Sequence, residues 1–269
     1  MKKFYKKYPI AALISFFAVI MILTIVFDTL FGAIFSNGLV SQLFSRSVLI
    51  LILLLANTTI FKLKFGNMTN RIGLGLLLSI PVLIFVVLNA LSVEPDNLMK
   101  ASMQAYLLAV ISTIAAVTWE EILMRGILLN GFLRAWSHKT NVVWLSVIWS
   151  SLIFSIAHAP NMLAGQALDA TIQQLLYTLA MGFFFAALYL RTNNLLIPII
   201  GHFVINIVSE LQELGVDLTQ VANEATEETN NLTAFIAIGV ASLILIIFSL
   251  IYLRKKKHSE VTVLNLNIK

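Results

Sequence analysis

The sequence predicts an all-α, polytopic integral membrane protein with about eight transmembrane helices. Three observations predict it. Of 269 residues, 59% are hydrophobic and 12% charged, and the mean hydropathy is +0.92. A soluble domain of this size needs more polar residues to cover its surface. Long apolar runs recur along the chain, and a bilayer span needs ~20 such residues. Finally, the basic residues cluster in alternate connections.

The runs place spans at 9–35, 39–61, 72–93, 101–125, 142–160, 171–190, 194–209 and 232–253. The first follows a basic segment, residues 1–7, that resembles a signal-peptide n-region. The apolar run behind it, 10–35, is too long for an h-region and lacks a clear A-x-A site, so it reads as a retained span. No internal repeat or low-complexity segment appears. Residues 1–269 therefore read as a single membrane domain. The longest polar connection is 209–231, and it is rich in acid. The chain has no cysteine, which excludes disulfides, thiolate-bound zinc and a cysteine nucleophile.

Eight spans put both termini on one side. All of the 18 Lys and Arg except Arg46 and Lys100 then fall on that side. The positive-inside rule makes it cytosolic, and a wrong span count would scramble the alternation. By these boundaries Arg125 belongs to the cytosolic set, and the acidic connection 209–231 is external.

Polar residues inside the spans are expensive, at ~2.5–3.5 kcal/mol for a central charge on insertion scales, and so mark candidate sites. Glu120 and Glu121 end the fourth apolar run, followed by Arg125. Glu121 and Arg125 are four apart, with the acid N-terminal, the favourable order for a helical ion pair. Glu120 points about 100° away around the axis and is left unpaired. An unpaired carboxylate in a medium of low dielectric becomes more basic, as a general base requires. The competing reading is an interfacial cluster that snorkels to water.

Phe154 and His158 form the second constellation, one turn apart, so that the ring can wall the imidazole. A lone histidine in an apolar helix is otherwise a packing residue. His202 and Asn206 form the third, on one face of the seventh run. Gly201 beside them permits close approach of another helix. Together they can donate to an oxyanion or ligate a metal, or they are an interhelical hydrogen-bond pair. Jointly the structural readings weaken. Glu, His and His, all inside spans, are the inventory of hydrolases that activate water.

Glu120-Glu121-x-x-x-Arg125, Phe154-x-x-x-His158 and His202-x-x-x-Asn206 resemble, in order and separation, the three motifs of the CAAX protease and bacteriocin-processing family, also called CPBP or ABI. The resemblance covers a core at 101–210 and leaves out the first two spans and the last. It implies an eight-helix intramembrane endopeptidase acting on a peptide or membrane-protein substrate, with its cavity open to the cytosol. It implies that Glu120 and His158 activate the attacking water and that His202 and Asn206 hold the oxyanion. Glu121 and Arg125 would organise the first motif, with Phe154 in support. The family is described as metalloprotease, and a metal-free, glutamate-dependent mechanism is also argued for it. A zinc reading would use His158 and His202 with Glu120 or Asn206, without the H-E-x-x-H spacing of soluble zinc proteases.

These boundaries carry a conflict. They put Glu120 near the cytosolic end of the fourth span and His158 about 24 Å along the fifth, at 1.5 Å per residue. A shared site requires one depth, so either 126–140 is partly embedded or the fifth span starts later. Two competing functions stand beside the protease: a catalytically silent immunity or regulatory partner, and a transporter with a proton relay, which a duplicated sequence would favour. The short loops and the lack of organelle signals point to a bacterial plasma membrane. Lipid and peptide are the expected partners, and nucleic acid is not.

Overall fold

The computed structural model describes residues 2–91, 93, 95–163, 165–214 and 232–254. The tail charges Lys255, Lys256, Lys257 and Lys269, and the acidic connection beyond 214, lie outside the described residues. Among the described residues the fold is helical, and the expected spans all appear. Seven helices are long and apolar enough to cross a bilayer: α1 (Pro9–Ile34), α2 (Gly38–Phe61), α3 (Ile72–Ala90), α4 (Met103–Ala135), α5 (Val142–Met162), α6 (Leu168–Thr192) and α8 (Leu232–Tyr252). The eighth, α7 (Leu196–Glu213), is shorter. The chain is an all-α polytopic membrane protein.

Local chemistry explains several helix ends. Asn37 caps α2 by accepting from the Val40 N–H at 3.1 Å, and Ser102 caps α4 by accepting from the Ala105 N–H at 3.1 Å. Pro81 cannot donate to an α-helical ladder, and α3 narrows there to a 3-10 turn over Ile80–Val82. α6 ends at Asn193, which takes the left-handed conformation of a C-cap (φ 50°, ψ 41°).

α6 is the central helix, packed on α5 and α8, and its stretch from Ala180 to Leu190 is almost wholly buried. A helix apolar on every face belongs in the interior. α4 packs on α2 and α7, and α1 packs on α2. α1, α3 and α8 turn many large apolar side chains outward, as lipid-facing helices do.

The fourth span is where the structure departs from the sequence reading. α4 does not stop at 125 but continues to Ala135, 33 residues in all. Its later part is held by protein contacts rather than by lipid. Asn130 donates to the Tyr189 hydroxyl at 2.7 Å and to the Gly126 carbonyl at 3.1 Å, and Arg134 donates to the carbonyls of Phe61 (2.7 Å) and Lys62 (3.0 Å). A Cβ on Gly131 would fall 2.6 Å from Leu13 Cδ2, so α1 lies against this end of α4. Arg125 is thus not a cytosolic charge but a buried one, 2% exposed.

The extension resolves the conflict over depth. Counted back from Ala135, Glu120 lies about 22 Å along α4, and His158 lies about 24 Å beyond Val142 on α5. The short loop from Trp136 to Asn141 joins the two ends. Glu120 is therefore near the middle of its helix, at about the same depth as His158.

A second device sets the start of α7. The loop after α2 reaches the α6–α7 turn through a bridge between Gly66 and Asn194. The Asn194 amide donates to the carbonyls of Met68 and Asn70, both at 2.8 Å, while its oxygen accepts from the Leu196 N–H at 2.9 Å. Gly66 has φ +79°, and a Cβ there would sit 2.2 Å from the Asn193 carbonyl oxygen, so only glycine fits. α7, and with it His202, is anchored by this clasp.

Candidate active site

The first motif sits where α4 changes its hydrogen bonding. Glu120 and Glu121 close a regular α-helical stretch, and Ile122–Leu129 follow as π-helix. Such wide turns inside α-helices occur frequently at functional sites. Every residue of the π segment is buried. Gly126 lies in it, and a Cβ there would fall 3.0 Å from the Phe65 ring.

Glu121 and Arg125 form the expected ion pair at 2.8 Å, with side chains 0% and 2% exposed. Arg125 also lies over the rings of Phe154 (4.8 Å) and Phe185 (5.4 Å). Its other nitrogen reaches the carbonyls of Met181 and Gly182 on α6, at 3.5 and 3.4 Å. Gly182 lets α6 lie close against α5 at this level, because a Cβ on it would lie 2.9 Å from Ser151 Cα.

The Glu121 oxygen that binds Arg125 also faces His202 Nδ1 at 3.0 Å. A carboxylate paired with arginine can only accept, so Nδ1 carries the proton and donates. The other ring nitrogen, Nε2, then points towards Glu120 Oε2 at 3.8 Å. His202 is held between the two adjacent glutamates, and its ring stacks on Phe185 at 5.3 Å. Gly201 makes room for that ring, since its Cβ would lie 3.2 Å from Phe185 Cε1.

His158 follows the end of the α-helical part of α5 and starts a 3-10 turn, Ala159–Met162. Its Nδ1 lies 2.9 Å from the Phe154 carbonyl oxygen. A carbonyl can only accept, so Nδ1 holds the proton and Nε2 of the neutral ring is left as an acceptor. The Phe154 ring is edge-on to both imidazoles, 5.1 Å from His158 and 5.9 Å from His202.

Six of the seven residues singled out from the sequence therefore form one contact cluster: Glu120, Glu121, Arg125, Phe154, His158 and His202. Asn206 lies one turn beyond His202 on α7, half-buried, and among the described residues no hydrogen bond joins it to the cluster. The interior of the cluster is closed. Glu121, Arg125, Phe154, Phe185 and His202 are all buried. The Glu120 side chain is 19% exposed and His158 is half-buried, so these two form the accessible side. Glu120 Oε2 has no hydrogen-bond partner from the protein.

The comparisons with known proteins cover this same stretch. Residues 102–208 match the family model described as type II CAAX prenyl endopeptidase Rce1-like. That stretch, which carries the site, is similar to the CAAX protease family. A Bacillus subtilis (strain 168) protein described as "Putative membrane peptidase YdiL" is 33% identical over 108 residues, covering 40% of this chain. The match spans 38% of that relative's own length. No solved structure matches the chain.

The zinc reading can be set against the donors themselves. Among the described residues, no three His, Cys, Asp or Glu side chains converge as a metal-binding group. Each histidine is held through Nδ1, His202 by Glu121 and His158 by the Phe154 carbonyl, which leaves both Nε2 atoms free, as in metal-bound histidines, but only two such donors. As placed, they do not make a three-ligand set.

Several supports were not read from the sequence. Phe185 and Gly182 of α6 have no polar signal. Arg46 of α2 lies over the Trp119 ring at 5.4 Å and pairs with Asp28 of α1 at 2.8 Å, bracing the helix just before Glu120. The charged pair Asp28 and Arg46, both inside apolar runs, was the available signal. The hydrogen bond from His202 to Glu121 spans 81 positions, and no local spacing reports it.

Proposed function

We propose that the chain is an intramembrane endopeptidase that hydrolyses a peptide bond of a membrane-associated protein or peptide. The observation that carries the reading is the seating of His202 between Glu121 and Glu120, with the Phe154 ring edge-on to both His202 and His158. Glu120 is the base: its free oxygen takes a proton from water whose other hydrogen is accepted by His158 Nε2. The resulting hydroxide attacks the substrate carbonyl carbon. This step requires the imidazolium form of His202, held by Glu121 and facing Glu120, whose Nε2–H donates to the oxyanion. Asn206 supplies a second donor. The C–N bond then breaks as Glu120 passes its proton to the leaving nitrogen, giving an acid and an amine. Preorganised donors of this kind act strongly where water is scarce.

No step of this sequence is routed through a metal. Glu121 and Arg125 do not touch the substrate; they fix the ring and the tautomer of His202. The test is reconstitution of the purified chain in liposomes with a library of membrane-anchored peptides, read by mass spectrometry. Wild type should produce new termini in the presence of a chelator, and His202→Ala should not. Cleavage that chelator abolishes and zinc restores would overturn the metal-free mechanism. Cleavage at the wild-type rate by His202→Ala would overturn the site. A silent regulator or a transporter would yield no new termini at all.

The reading places the protein in a bacterial plasma membrane with both termini cytosolic. Thr140, in the α4–α5 loop, and Ala167, before α6, are both exposed and fall on opposite sides of the bundle. With an impermeant thiol reagent on intact cells, Ala167→Cys should label and Thr140→Cys should label only after lysis. The reverse pattern would invert the topology.

A further inference from the structure

A cleft of about 370 Å³ lies away from the Glu120 cluster, at the far end of α4. Arg134 lines it, 14 positions past Glu120, or about 20 Å along the helix. We propose that this cleft binds the phosphate of an anionic membrane lipid. The proposal does not rest on the protease reading.

Four cations line the cleft: Lys2, Lys6, Lys62 and Arg134. Among the described residues, no carboxylate pairs with any of them. Lys7, by contrast, points elsewhere and lies over the Tyr8 ring at 5.1 Å. Two buried donors face the same region without partners. Tyr5 is 7% exposed, its ring is edge-on to Phe61 at 5.0 Å, and its hydroxyl has no hydrogen-bond partner. Arg134 gives its two terminal nitrogens to the Phe61 and Lys62 carbonyls, leaving Nε buried and unsatisfied. Burial pushes the Tyr5 hydroxyl above its usual pKa, while the Arg134 charge and its approach to the hydroxyl as a donor pull the other way, so the Tyr5 O–H still lacks an acceptor. Buried donors without acceptors are costly, and an anion would satisfy both.

Position decides in favour of lipid over a soluble anion. The cleft lies where α1 begins and α2 ends, with Pro9, Ile60 and Phe61 as its apolar floor. Phe4 and Tyr8 are exposed beside it, 41% and 49%, as aromatic residues are at a bilayer interface. α1 and α2 continue outward with exposed Ile14, Leu54 and Leu55, along which acyl chains can lie. Basic pockets between helices on the cytosolic side recognise anionic headgroups in this way.

The test uses the full chain in detergent, titrated in separate arms with phosphatidylglycerol, phosphatidylcholine and inorganic phosphate, with bound lipid read by native mass spectrometry. Phosphatidylglycerol should bind preferentially. Lys6→Gln and Lys62→Gln should each weaken it about fivefold, the equivalent of ~1 kcal/mol per basic residue. Tyr5→Phe should weaken it without any change of charge. Lys3→Gln, which changes the same charge outside the cleft, should leave it unaltered. Equal binding of the two lipids, or equal loss on Lys3→Gln, would overturn the site. Inorganic phosphate that binds here and displaces the lipid as well as a second lipid does would overturn the lipid assignment.

Discussion

Glu120→Gln is expected to lower peptide cleavage by ~10²–10⁴-fold while the protein remains folded in the membrane. The substitution keeps the size and shape of the side chain and removes only its capacity to take a proton. Glu120 is the less buried of the glutamate pair, at 19% exposed, and its Oε2, itself buried, makes no hydrogen bond to the protein. Its replacement therefore breaks no hydrogen bond among the described residues and alters only the 3.8 Å approach to His202 Nε2. Glu121 keeps Arg125 and His202 in place through its own oxygen, at 2.8 and 3.0 Å. The measurement is the single-turnover rate in liposomes beside the thermal transition of the same sample. A variant that cleaves at the wild-type rate would show that another group takes the proton. A variant that fails to fold would show Glu120 to be a structural residue.

Arg125→Ala and Glu121→Ala are each expected to cost ~3–5 kcal/mol and to deplete folded protein. Each leaves one charge in a site with side chains 0–2% exposed. A domain has ~5–15 kcal/mol in total, so the loss is a large part of it. Arg125 also joins α4 to the rings of α5 and α6 and to two α6 carbonyls, so its truncation loosens three helices together. The paired variant Glu121→Gln with Arg125→Met should recover much of the folded yield, because no isolated charge remains. It should still lack activity, since His202 has lost the carboxylate that sets its tautomer. Yield by fluorescence-detected size exclusion, alongside cleavage, separates the two effects. Equal yields for both single variants and wild type would remove the buried pair from the account of stability.

Read from the sequence alone, the spans were legible because apolar length is a local property. α1, α2, α5, α6 and α8 each fall within a few residues of the apolar run that announces them. The Glu121–Arg125 pair and the Phe154–His158 wall were legible for the same reason, being one helical turn apart. The fourth helix was not. Gly126, Asn130, Gly131 and Arg134 interrupt its apolar pattern and read as a polar loop. They remain helical because Phe65, Tyr189, Leu13 and the Phe61–Lys62 carbonyls lie opposite them.

The sequence by itself determined a helical membrane bundle and, as expectations, the sidedness of its charges and a shared set of polar residues, of which Asn206 is not joined to the other six. Only the tertiary structure decided the depth of that site, the π turn after Glu121, and the partners of His202. Hydropathy and spacing report what each residue prefers along its own helix. They do not report which helix stands across from it, and Glu121 meets His202 because α7 packs against α4, with the start of α7 anchored by the Gly66–Asn194 clasp.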